Sequence, residues 1–477
     1  MQIFKQWPLY LIGRILPAAI TFGAIGLYTR LVDPASFGTY ALLLSTSILF
    51  GMTGFAWLRV ATIRMMATVS KDEVADFTAT IALSFLGVSV VASLAIFLVL
   101  HLYNPALPFS LVILTAAVMV ASNWFELNVS LAQARMQLRA YGALQGARAI
   151  ATLGASLLLI FGGLKAAALL GGFAIGNCTG FGMLGAWMPG FRGSFRRDIF
   201  ARLFRFGWPS SAASVSFSVF TAQRYLLGIF GGSAAVGLFA VANDFSMQTV
   251  GLLMGTVTIA GQPLAFRARD LGKKEQLYDQ LRNNARLLFA VGLAASAGLI
   301  ALAGPIAHVF FGPKFRAGAE PVIAIAALAT LVSSLRSCYF EQAFEIALKT
   351  RPIAILTAVR IALTIVPSVV LIQRYGAIGA ASAVLIGESV AIAGSVVWAR
   401  RLIRMPIPLQ SFGKVAAATV AMICAIQVIP NRSSPLGLAL AVIVGLVTYG
   451  GACALIYLRQ IRTVMRLPRG IAAATRP

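Results

Sequence analysis

Ten ionisable residues interrupt long apolar runs in this chain: Arg14, Arg148, Arg224, Arg336 and Arg360, with Glu126, Asp244, Glu341, Glu345 and Glu388. Inside hydrocarbon a single charge costs at least about 2.5–3.5 kcal/mol on insertion scales, so each of these groups must face protein, water or a ligand. Their chemistry is that of binding. A guanidinium stays ionised and grips planar anionic groups through paired N–H donors. A buried carboxylate either neutralises such a cation or takes up a proton or Na+. No catalytic pattern is legible: His101 and His308, the two histidines, have neither a neighbouring thiol or hydroxyl motif nor metal-ligand spacing. The chain therefore reads as non-enzymatic, with no cofactor and no metal.

Depth along the apolar runs suggests partners. Glu126 and Arg148 each lie about six residues from one end of adjacent runs, about 9 Å deep at 1.5 Å per residue. Arg224 and Asp244 lie about six and eight residues from the opposite ends of their runs, and Arg360 and Glu388 about eight and eleven from the same side as the first pair. Each pair is open to two readings, a neutralised ion pair that fixes helix packing or a charged lining of a cavity. Arg336 has Glu341 and Glu345 at the end of its own run as local partners. Arg14 has no acid in its run or the next, so it either snorkels to headgroups or meets a ligand anion. Glu388 is the deepest acid. With Asp244 and Glu126 it is a candidate for ion coupling.

These groups sit in a chain of 477 residues that is 59% hydrophobic and 11% charged, too little polar surface to cover a water-soluble globule of that size. Runs of about 20 apolar residues, each sufficient to cross the bilayer, recur fourteen times. The expected fold is all-α and polytopic. The net charge of +25 follows from topology, because the basic residues crowd into alternate loops such as Arg192, Arg196, Arg197, Arg202 and Arg205, or Arg267, Arg269, Lys273 and Lys274. Those loops are read as cytoplasmic, with both termini on that side, and as resting on anionic lipid headgroups. Nucleic acid is excluded as a partner, since no extramembrane stretch exceeds about 20 residues. Cys178, Cys338, Cys424 and Cys453 lie in apolar runs and read as buried hydrophobes without disulfides. The N-terminus reads as a retained first span without a signal peptide.

The chain also repeats. Phe37-Gly38-Thr39-Tyr40-Ala41 matches Val236-Gly237-Leu238-Phe239-Ala240, and both segments open a run just after a short turn. Arg139 and Arg148 match Arg351 and Arg360, and Ala174-Ile175-Gly176-Asn177 resembles Leu385-Ile386-Gly387-Glu388. Matched runs are six apart, so both halves enter the membrane in the same direction, as a parallel repeat about an axis along the membrane normal. The expected division is a lobe of six spans over residues 1–190, a basic cytoplasmic connection at 191–207, a second lobe over 208–404, and two further spans with a basic tail over 405–477.

The segment from Leu27-Tyr28-Thr29-Arg30-Leu31-Val32-Asp33-Pro34 through Phe37-Gly38-Thr39-Tyr40 resembles the opening of the polysaccharide transporter family, the Wzx-type O-antigen and exopolysaccharide flippases. Arg224-Tyr225-Leu226-Leu227-Gly228-Ile229-Phe230 and Phe311-Gly312-Pro313-Lys314-Phe315 carry the likeness onward, so that it covers roughly residues 8–400. The resemblance implies membership of the multidrug, oligosaccharidyl-lipid and polysaccharide exporter superfamily, with two six-helix lobes around a central cavity open alternately to each side. It implies a polyprenyl-pyrophosphate-linked oligosaccharide as substrate, moved across the bacterial inner membrane for O-antigen, capsule or exopolysaccharide assembly. Polysaccharide assembly machinery is then a possible partner.

On that reading Arg14, Arg360, Arg148, Arg224 and Arg336 are candidates for the pyrophosphate, which suits guanidinium better than ammonium. Asn123, on one helical face with Glu126 and Ser130, is a candidate for sugar hydroxyls, and Trp124 for stacking on a sugar, with an interhelical seam and plain packing as the structural alternatives. The family commonly has an acid just before Arg224, where this chain has Gln223, so no role of that acid carries over. A cation-coupled drug antiporter of the same superfamily is the alternative. It calls for an acid-lined cavity, and five buried arginines against five acids do not separate the two.

Overall fold

The computed structural model describes residues 20–66, 69–134, 137–182, 187, 192–214, 218–349, 351–403 and 405–465. Arg14 lies outside them. Among the described residues the chain is helical throughout, in the order α1 (20–31), α2 (Pro34–Met65), α3 (Val74–Tyr103), α4 (Phe109–Ala134), α5 (Leu138–Phe161), α6 (Lys165–Cys178), α7 (Arg197–Ser214) and α8 (Ser218–Ser246). There follow α9 (Leu252–Asp270), α10 (Lys274–Ala301), the short α11 (Ala303–Phe310) and α12 (Pro313–Arg316), α13 (Ala319–Leu335), the short α14 (Gln342–Ile346), α15 (Arg351–Leu402), α16 (Leu409–Val428) and α17 (Pro435–Met465).

Among the described residues, ten helical stretches are long and apolar enough to cross a membrane. Two of them, Ser218–Asp270 and Arg351–Leu402, each hold two of the apolar runs, separated at Gly232 (φ 77°, ψ 168°) and Gly376 (φ 53°, ψ −127°). Both backbone settings are ones that a Cβ disfavours, which is why glycine stands at these turns. With α1 and α6, the described helices fall in each of the fourteen runs. Large apolar side chains such as Leu98, Leu102, Phe161, Val428 and Leu436 face outward, an arrangement suited to acyl chains and not to water. The chain is a multi-pass membrane protein.

Contacts divide the chain into two compact units. The first runs up to Val241 and adds Phe311–Phe315 and Ile365–Ala380; the second comprises Ala242–Phe310, Arg316–Thr364 and the chain from Ala381 onward. In the first unit Asp33 caps α2, its carboxylate accepting from the Ser36 backbone N–H at 3.0 Å and from the Ser36 hydroxyl at 2.8 Å, with Pro34 in the first turn. The Ser36 N–H holds the Asp33 carboxyl below the usual carboxylate range. Helix α7 starts at Arg197, well inside the expected connecting loop, because Ile199, Leu203 and Gly207 have a surface to bury against on α2. A Cβ at Gly207 would stand 2.1 Å from the Trp57 carbonyl oxygen.

The repeat is visible in the packing. A Cβ on Gly38 would meet the Ser233 carbonyl oxygen at 1.8 Å and the Gly237 nitrogen at 2.8 Å, and one on Gly237 would meet the Pro34 oxygen at 2.1 Å and the Gly38 nitrogen at 3.0 Å. The matched segments thus touch reciprocally, as a two-fold relation requires. A second correspondence lies within each half: Gly176 would collide with Thr152 Oγ1 at 1.9 Å, and its counterpart Gly387 with Thr364 Oγ1 at 2.0 Å. Small residues let these neighbouring helices approach closely in lipid, where no hydrophobic force draws them together.

In the second unit α10 packs against α9, α13 and α16, and α16 against α17. Two π-helical turns, Met247–Gly251 and Arg336–Phe340, interrupt the helices. Such turns are rare and concentrate at functional sites. The second one carries a candidate charge.

Candidate functional site

Arg336 opens that π-turn, and the Glu341 N–H donates to the Arg336 carbonyl at 2.9 Å, five residues back. In an α-helix residues five apart diverge by about 140°. The wider turn brings them together, and Arg336 Nη1 donates to Glu341 Oε1. Arg336 Nε also donates to Glu388 Oε2 at 2.9 Å, while Arg360 Nη1 donates to Glu388 Oε1 at 3.0 Å. Glu388 is only 1% exposed and holds one guanidinium on each oxygen. The expected pairing of Arg360 with Glu388 is thus present, within a four-membered cluster of two cations and two anions. Glu345 is not the partner of Arg336 but accepts from Gln262 Nε2 at 2.6 Å.

A second cluster lies in the first unit. Arg148 Nη1 donates to Glu126 Oε1 at 3.1 Å, as depth suggests, and its guanidinium carbon sits 4.5 Å from the Phe125 ring centroid in a cation–π contact. A third member was not anticipated: Arg59 Nη1 stands 3.9 Å from the other oxygen, Glu126 Oε2. Arg59 directly follows the second apolar run, where a charge reads as a solvated loop residue; α2 instead continues to Met65 and holds it against α4. Two cations share one carboxylate here, and the side chains of Arg59, Arg148 and Glu126 keep 18%, 27% and 36% of their exposure.

Of the remaining candidates, Arg224 is buried and donates from Nη1 to the Ala41 carbonyl at 3.0 Å, and Asp244 lies beside the Asn243 amide. Gln223, wholly buried, donates from Nε2 to Ser368 Oγ at 3.2 Å and to the Ala380 carbonyl at 2.9 Å, the second a bond that a carboxylate could not make. Asn123 is buried, donates to the Met119 carbonyl and lies where a Cβ on Gly51 would strike its amide at 2.3 Å. That is the geometry of a helix seam. Ser130 bonds back to the Glu126 carbonyl. Trp124 packs among Phe85, Phe181 and Trp187 at centroid distances of 5.3–6.0 Å. Cys178 and Cys424 are exposed and not buried as expected, since an outward thiol on a membrane helix meets acyl chains that accept it as an apolar group. Among the described residues no three His, Cys, Asp or Glu side chains come together to hold a metal ion.

The structure resembles the lipid II flippase MurJ in an inward closed conformation, with a TM-score of 0.76 at 14% identity over 95% of this chain and 99% of that one. It also resembles an inward-facing multidrug resistance MATE family transporter (TM-score 0.60, 16% identity, 82% and 97% of the two chains) and a MOP superfamily transporter from Pyrococcus furiosus (0.53, 15%, 82% and 93%). No curated protein sequence matches the chain. Residues 27–318, more than half of the sequence, match the polysaccharide biosynthesis protein family, and the chain belongs to that family.

Proposed function

We propose that this protein is a flippase that carries a polyprenyl-pyrophosphate-linked oligosaccharide across the bacterial inner membrane by alternating access, for O-antigen, capsule or exopolysaccharide assembly. The observation that carries the reading is membership of a polysaccharide biosynthesis family by a chain with ten membrane-spanning helical stretches among its described residues and a fold like that of a lipid flippase. The buried arginines supply what a pyrophosphate needs, donors that remain charged at every working pH. Both termini face the cytoplasm in this reading, with the basic loops on anionic lipid.

Glu388 offers a way to couple transport to an ion gradient. Taking up a proton or Na+ there would loosen the hold of the shared carboxylate on Arg360 and on Arg336, which keeps Glu341, and so favour an anionic substrate at these guanidiniums. Such gating places the ion and the substrate in competition for the same guanidiniums. The drug antiporter alternative, favoured by the MATE-like fold, expects a cationic cargo held by the acids instead.

Reconstitution in liposomes with a fluorescent polyprenyl-pyrophosphate glycan tests the proposal. Wild type should move the probe between leaflets, and Arg14→Ala and Arg360→Ala at equal folded amount should each slow it by about tenfold or more, the loss expected for one charge-assisted contact. Movement of cationic dyes with none of the glycan would replace the flippase by the antiporter. Glu388→Gln should abolish the response to an imposed proton or Na+ gradient; a retained response would remove Glu388 from coupling.

A further inference from the structure

The two clusters differ in charge balance. In the second unit Arg336 and Arg360 are matched by Glu341 and Glu388. In the first, Arg59 and Arg148 divide one carboxylate, leaving an excess of one positive charge on side chains that are still partly open. The two arginines are not equivalent. Arg148 is fixed by a 3.1 Å bond and by the Phe125 ring, which itself belongs to a buried group with Val129, Tyr141 and Leu144. Arg59 has a single long contact at 3.9 Å and, among the described residues, no hydrogen bond from its guanidinium. Its donors remain available to a further acceptor.

Position narrows what that acceptor is. Glu126 and Arg148 lie about 9 Å inside the ends of their apolar runs, and Arg59 stands at the boundary of its own. In the proposed orientation Arg59 stands at the edge of the cytoplasmic headgroup layer, where the phosphates of lipids reside, with Glu126 and Arg148 just beneath it. The geometry points to Arg59 and Arg148 as an entry site for the phosphoanhydride of the lipid-linked substrate, with Glu126 as an internal competitor that the incoming anion displaces from Arg59. This assignment rests on the flippase reading. It gives Glu126 the work of holding the cations together in the unloaded protein, in place of ion coupling, and it predicts opposite signs for loss of the cations and loss of the acid.

Binding of farnesyl pyrophosphate to the full-length protein in nanodiscs of phosphatidylcholine tests it without requiring transport. Arg59→Gln should weaken binding about tenfold, and Arg59→Lys, which keeps the charge without the fork, should lie between it and wild type. Glu126→Gln should tighten binding by roughly threefold, the reciprocal of a partly exposed ion pair. Arg202→Gln, on the exposed start of α7, should leave it unchanged. A purely structural salt bridge would instead lower the melting temperature in Arg59→Gln and Glu126→Gln alike, with equal affinity in all variants that remain folded, and that pattern would overturn the site. Displacement of the probe by equimolar phosphatidylglycerol in the disc would assign the cluster to bulk phospholipid and equally overturn it. The two proposals fail separately: wild type that flips glycan while Arg59→Gln binds the probe normally sinks the entry site alone, whereas Arg59-dependent binding without any glycan movement sinks the flippase alone.

Discussion

Glu388 shows how one carboxylate organises a membrane interior. Its two oxygens each hold a guanidinium from a different span, so its removal leaves two buried cations without their shared anion. Glu388→Ala should therefore destabilise the protein by about 3–5 kcal/mol, read as a fall in melting temperature in detergent. Gln223 makes a complementary case. Its amide donates to the Ser368 hydroxyl and the Ala380 carbonyl, so Gln223→Glu would set a carboxylate against a carbonyl oxygen in a fully buried position. A loss of at least about 1–3 kcal/mol follows, and a variant as stable as wild type would show that the amide is dispensable. Counting positions along the runs located the Arg360–Glu388 and Arg148–Glu126 pairs, because depth is a one-dimensional property that a linear chain displays. It did not locate the share of Arg336 in Glu388, which depends on a π-turn, nor Arg59, which stands just beyond its run.

At the level of helices, glycine marks where backbones meet. Gly38 and Gly237 approach each other's segments within distances that no Cβ tolerates, and the obstructing atoms are backbone. Gly38→Ala must separate α2 from the chain around Ser233, at a cost of about 1–3 kcal/mol. Gly255, inside α9, has nothing within 4 Å of a Cβ, so Gly255→Ala should stabilise by about 0.5–1 kcal/mol through helix propensity alone. Melting curves of the two variants should move in opposite directions. The short motif matches that revealed the repeat turn out to be these contact points: Gly38 with Gly237, and Gly176 with Gly387, each against a threonine of the neighbouring helix. They are recognisable in the sequence because close packing in lipid admits few residue types. The extent of the helices was less legible. α7 and α10 begin in stretches that hydropathy assigns to loops, since an amphipathic segment at the membrane edge carries arginines on one side while burying Leu203 or Leu277 on the other.

For the molecule as a whole, the distribution of basic residues predicts an orientation that labelling can check. In a cysteine-free background, a cysteine replacing Lys273 should react with a membrane-impermeant maleimide only from the cytoplasmic side, and one replacing Gly232 only from the opposite side; reversed labelling would invert the topology. Composition alone dictated that this is a bundle of membrane helices, since too few polar residues exist to clothe a soluble surface. Periodic spacing of apolar runs dictated their number, and internal matches dictated the duplication, because both are written in the linear order of residue types. Packing settled the rest. Whether a buried arginine is neutralised or left with donors to spare depends on which helices stand beside it, and no linear reading holds that information. The balanced cluster around Glu388 and the cation-rich one around Glu126 draw on the same residue types. They differ because α2 brings Arg59 to the one, and a π-turn brings Arg336 with Glu341 to the other.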